Sequence, residues 1–235
     1  MLTKCKIPQG LIENNDEGIP EVFRPRVITV NSFGPYCANQ FVRAYNDVAN
    51  SPQPWVVLDI NSEGGSVFEL NQMRDVIKDG RSIVVGIGGG MCFSAAALLL
   101  TSCTKGYRWM LPNSKLMIHE VATSSEGKSS DIISDALETE KLNDELFEVL
   151  SKNAGKPKSF FKNLVKKRNN ADCFLSADEC LRLNLIDHVG LPEVTMDVKI
   201  NWSIENLSKS KADSKIKKVK KVKASEVKPA KTKVD

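Results

Sequence analysis

Three short runs rich in β-branched residues, "RVITV" (26–30), "WVVLDI" (55–60) and "SIVVGI" (82–87), are separated by stretches far too long for hairpins. Runs of this kind read as buried strands. The intervening "CANQFVRAYNDVA" (37–49) and "SVFELNQMRDVIKDG" (66–80) have helical periodicity. The second sets Phe68, Met73, Val76 and Ile77 on roughly one face and stops at Gly80, a C-cap residue. Strands joined through helices of this length cross over right-handed and build a mainly parallel sheet. In such a sheet, chemistry gathers beyond the carboxyl ends of the strands.

The chain has 235 residues, enough for one domain with a sizeable core plus an appendage, and no internal repeat is apparent. Its longest apolar stretch, Ala95 to Leu100, ends at Thr101-Ser102, short of the roughly 20 residues that span a bilayer. The opening "MLTKCKIPQG" lacks an apolar signal core, so a cytoplasmic protein without membrane contact is expected. The cysteines at 5, 37, 92, 103, 173 and 180 form no C-x-x-C pair. They are expected to be reduced thiols packed as small apolar side chains, with no metal and no cofactor.

Charge is unevenly spread. Residues 208–235 hold eleven Lys against three acids, a charge of +8, so the remaining 207 residues carry −4 of the net +4. That tail has no aromatic residue and too little apolar area to offset its ordering entropy, which predicts disorder. It reads either as an arm for nucleic acid or an acidic protein surface, or as a solubilising extension.

"GGGMCFSAAALLL" (88–100) follows the third strand. Its glycines predict a sharp turn, after which Ser94 opens a helix. A side chain at a helix N-terminus lies beside unpaired N–H groups and the positive end of the dipole, where a developing oxyanion is stabilised. The hydrolase elbow G-x-S-x-G is absent, since Cys92 and Ala96 flank the serine. Alone, the segment fits a nucleophile or a small residue at a tight turn. A nucleophilic serine needs a base, and the chain has two histidines, His119 and His188. His119 follows the strand-like "LPNSKLMI", whereas His188 in "NLIDHVGLP" reads as a surface imidazole. The pair Gly64-Gly65 in "INSEGGSV" can turn a backbone N–H outward, or simply make a strand-to-helix turn.

"INSEGGSV", "CFSAAALLLTSCTKGYRWMLPNSKLMIHE" and "DCFLSADECLRLNLID" resemble, in order, the signature blocks of the Clp protease proteolytic subunit family. The resemblance covers about residues 26–190 and implies an α/β fold of the ClpP/crotonase type, with repeated ββα/βαβ units and a projecting handle helix. It implies a serine endopeptidase with Ser94 as nucleophile, His119 as general base and Asp172 as the carboxylate that orients it. The backbone N–H groups of Gly65 and Ala95 become the oxyanion donors. Asp178 and Asp187 are neighbouring acids, and Asp187 reads as structural. Glu63 stands where the family commonly has Pro, and Glu120-Val121 where it commonly has Gln-Pro.

The chain then divides into an N-terminal segment (1–25), a peptidase domain (26–195), a linker (196–207) and the Lys-rich tail (208–235). The handle, 129–154, carries Ile133, Leu137, Leu146 and Leu150 at helical spacing, with Gly155 as its stop. Stacked heptameric rings fed with unfolded polypeptide by an AAA+ ATPase are what the resemblance implies. The N-terminal segment shows no counterpart of the family's axial loop. Two other readings stand beside it: a viral head-maturation protease cleaving scaffold or capsid precursors, and a noncatalytic or crotonase-like relative that binds an acyl thioester.

Overall fold

The computed structural model describes residues 2–6, 25–168 and 172–197. The tail, most of the linker and most of the N-terminal segment lie outside them. Strand β1 (Leu2–Lys6) pairs antiparallel with β9 (Glu193–Asp197). The main sheet is built from β2 (Val27–Val30), β3 (Trp55–Ser62), β4 (Ile83–Phe93), β5 (Arg108–Met110) and β8 (His188–Val189), in that order and all parallel. β6 (Lys115–Ile118) also runs parallel to β4, and β7 (Cys173–Ser176) pairs antiparallel with β6. Helices α1 (Cys37–Ala49), α2 (Val67–Asp79) and α3 (Ala95–Ser102) link the first strands. This is the expected α/β crossover arrangement.

The sequence predicts a turn at 88–91, but β4 continues through these glycines to Phe93, its register against β3 shifting between Gly88 and Cys92. Close packing explains Gly88 and, just before it, Gly86. A Cβ at Gly86 would lie 2.6 Å from the Cys103 Sγ, and one at Gly88 2.9 Å from Cys92 Sγ and Leu100 Cδ2. Bare backbone there lets α3 lie flat on the strand. Gly90, at φ +60, marks the point where β4 exchanges β5 for β6 as its neighbour.

α2 begins at Ser66, whose hydroxyl accepts the Glu69 N–H (3.4 Å), while the Glu69 carboxylate accepts the Ala38 N–H at the start of α1 (2.7 Å). Its buried row is Leu70, Met73 and Ile77. Phe68, expected on that row, is 73% exposed, because the crossing of α2 on the core follows the Leu70 side of the helix. Gly80 ends the helix as expected, and a Cβ there would collide with the Tyr45 phenol.

The long helix α4 (Ser129–Asn153) is followed by α5 (Phe160–Lys167), and α6 (Ala177–Arg182) opens with a Ser176–Glu179 capping box. The predicted apolar face of α4 divides in two. Phe147 and Leu150 are buried and Leu146 packs partly against the core, whereas Ile133 and Leu137 are 60% and 56% exposed. Leu146 and Leu150 therefore belong to the fold of the subunit itself.

Asp187 is structural. Its carboxylate meets the guanidinium of Arg108, which is 1% exposed, at 2.6 Å, and accepts the N–H groups of Gly106 (2.7 Å) and Arg108 (3.1 Å). Partial burial raises the Asp187 pKa, but the guanidinium and the two N–H groups outweigh it and hold the carboxyl below its ordinary value. The other Arg108 amine donates to the Asn153 carbonyl, tying the end of α4 to the sheet. Cys92, Cys103, Cys173 and Cys180 are buried free thiols. Burial pushes Cys103 and Cys180 up to about 12, which makes them inert apolar filling.

Candidate active site

Ser94 sits between the end of β4 and the first residue of α3, with φ 55 and ψ −117. Positive φ is costly for a residue with a side chain and persists where surrounding contacts hold it. Here the Ser94 N–H donates to the Met117 carbonyl of β6 (2.8 Å), and the Ser94 backbone carbonyl accepts the Ala97 and Leu98 N–H groups of α3. The Ser94 hydroxyl makes no cap bond to its own helix. On the other side lies the Gly64-Gly65 turn. A Cβ on Gly64 (φ +103) would come within 2.8 Å of Ser94 Cβ and 3.1 Å of the Ala95 nitrogen. The bond that fastens this turn to Phe33 is donated by Ser66 rather than Gly65 (2.9 Å). The Gly64-Gly65 turn and the first residue of α3 thus lie next to Ser94.

His119 is the first residue beyond β6, and Asp172 the last before β7. Register relates the two. Ile118 pairs with Cys173 in the antiparallel β6–β7 ladder, so the next positions across it are His119 and Asp172. On the other flank of β6, Phe93 pairs with Met117, which brings Ser94 level with Ile118. Strand β6 therefore presents His119 between the strand that leads into Ser94 and the strand that leaves Asp172. Among the described residues no hydrogen bond joins the three side chains; in free enzymes such contacts are often long and close when substrate binds. Asp178 lies on α6, beyond the opposite end of β7, and Asp187 is engaged by Arg108. His188 is exposed, stacked on Trp109 with ring centres 4.1 Å apart.

A pocket of about 570 Å³ opens beside Ser94. Leu98, Ile118, Leu142, Leu146 and Phe147 form apolar walls, and Glu63, His119 and Glu120 are its ionisable side chains. One wall comes from α4, and Asn143 on that helix accepts the Val121 N–H (2.6 Å), anchoring the segment just past His119. Nothing in the sequence marks Asn143, one amide among many charged residues; only the crossing of α4 over the strand end singles it out. Among the described residues no cluster of three His, Cys, Asp or Glu side chains is gathered as metal ligands.

The sequence model of the Clp protease family matches residues 23–193, most of the chain. The chain belongs to the Clp protease family. Its parallel-strand α/β architecture is that of a ClpP-like fold, and membership makes it a serine peptidase in general terms. Members of the Clp protease family usually form oligomers. Among the described residues no helix is long and apolar enough to cross a membrane.

Proposed function

We propose that this Clp protease family member is an endopeptidase in which Ser94 attacks the scissile carbonyl. His119 takes the Ser94 proton and then delivers it to the leaving amine, while Asp172 holds the imidazole in the tautomer that accepts at the serine. The N–H groups of Gly65 and Ala95 receive the oxyanion, each contributing about 3 to 4 kcal/mol to the transition state. The observation that supports this most is the β4–β6–β7 ladder, in which Ser94 falls level with Ile118 and His119 with Asp172, on neighbouring strands about 4.8 Å apart. A fluorophosphonate probe should label the wild-type protein at Ser94, read out by peptide mass spectrometry. Labelling elsewhere, or none, refutes the assignment.

The same ladder predicts which acid serves His119. Asp172→Asn should lower kcat by about 10⁴ through loss of the correct tautomer, whereas Asp178→Asn should stay within twofold of wild type. The reverse pattern would move the carboxylate to α6.

The enzyme works, in this reading, in the cytoplasm as stacked rings that take unfolded polypeptide from an AAA+ ATPase. The exposed Ile132, Ile133 and Leu137 on the first half of α4 favour assembly through that helix. Ile133→Glu combined with Leu137→Glu should split the oligomer in light scattering while leaving the circular dichroism of the subunit unchanged. An unaltered mass would take α4 out of the contact.

A further inference from the structure

The pocket beside Ser94 carries charge of one sign. Glu63 and Glu120 are its carboxylates, and neither Lys nor Arg lines it. Glu63 is exposed and Glu120 half-buried, and among the described residues neither takes part in an ion pair, although Lys162, ion-paired with Asp144, lies near enough to Glu120 to feel its charge. They sit on different elements: Glu63 immediately before the Gly64-Gly65 turn that presses on Ser94, Glu120 immediately after His119. A peptide that brings its carbonyl to Ser94 has to enter between these segments. The interior behind them is apolar and suits one uncharged side chain.

We propose that Glu63 and Glu120 make this site selective for peptides in which the apolar residue seated in the pocket has Lys or Arg two positions to either side. The proposal rests on the peptidase reading and specifies its substrate class. In an extended peptide successive side chains point to opposite sides. When one enters the pocket, its immediate neighbours point away and the residues two positions to either side return to the enzyme face, at the rim where the two carboxylates stand. Lys and Arg reach a rim charge with their heads while their stems cover apolar surface. An acidic residue there meets two like charges, so discrimination comes from repulsion as well as attraction. The chain itself contains such a sequence, "SKIKKVKKVK" (214–223), which sets Ile216, Val219 and Val222 between lysines.

Three matched fluorogenic peptides test this on the full-length protein, each with one Leu flanked two positions to either side by Lys, by Gln or by Glu, together with a peptide of residues 214–223. A carboxylate near contact distance in water contributes about fivefold. The Lys-flanked peptide should therefore exceed the Glu-flanked one in kcat/KM by at least about tenfold at low salt. The ratio should shrink in about 1 M salt, where screening reaches about 3 Å, and fall towards one in Glu63→Gln combined with Glu120→Gln. The 214–223 peptide should be cleaved beside Ile or Val. Equal cleavage of all three matched peptides overturns the proposal and leaves the peptidase reading standing. If no peptide is cleaved and Ser94 is not labelled by the fluorophosphonate, the peptidase reading falls. Fluorescence anisotropy of the same peptides on Ser94→Ala then decides selectivity separately: tighter binding of the Lys-flanked peptide supports it, and equal binding refutes it.

Discussion

Ser94→Ala should abolish peptide cleavage, with a loss of about 10⁶ in kcat, while the protein keeps its fold and its oligomeric mass. The size of the effect follows from the chemistry, since without the hydroxyl neither the acyl intermediate nor the proton transfer to His119 can occur. Preservation of the fold follows from the structure. Ser94 is anchored through its backbone to Met117 and α3, its hydroxyl caps nothing, and Ala removes no contact that holds the turn. Residual cleavage of a few per cent in a rigorously purified variant would place the nucleophile elsewhere.

Asp187→Asn should be the most damaging substitution for stability among the acids discussed. It leaves the Arg108 guanidinium buried beside a neutral amide, and stripping one partner from a buried pair costs about 3 to 5 kcal/mol. In a domain of this size that lowers the melting temperature on the order of 10 °C. The wild-type pair also has a pH signature. Because the folded carboxyl titrates below its ordinary value, its contribution is fully present above the unfolded carboxylate pKa and disappears as pH falls through the folded one. Thermal melts between neutral pH and the acid range should therefore converge for wild type and Asp187→Asn at the acid end. Equal melting temperatures at neutral pH would show that the pair contributes nothing net.

The parts of the fold legible in the sequence were those set by local periodicity: β2, β3, α1 and the span of α2. The course of β4 was not, because Gly86 and Gly88 express contacts with Leu100 and Cys103, residues that reach them only after α3 has turned back. The division of α4 into a buried end and an exposed end was not legible in detail either. Ile133 and Leu137 share one face and Leu146 and Leu150 another, and spacing does not reveal where a long helix leaves the body. At the candidate site, the glycine turn, Ser94 and His119 stood out by residue type and order. The relation of Asp172 to His119 depends on antiparallel register between β6 and β7, across a connection that holds all of α4 and α5. No reading of spacing alone separates it from Asp178.

α4 is one uninterrupted rod whose last turns are fixed in the core, whose middle walls the pocket and whose first turns stand apart with bare apolar side chains. Docking of the free end and shape of the pocket are therefore mechanically continuous, through Asn143 to the backbone beside His119. In the proposed assembly a neighbour that seats the free end would steady the same helix that the Asn143 bond ties to the substrate wall within each subunit, so specific activity should climb with protein concentration.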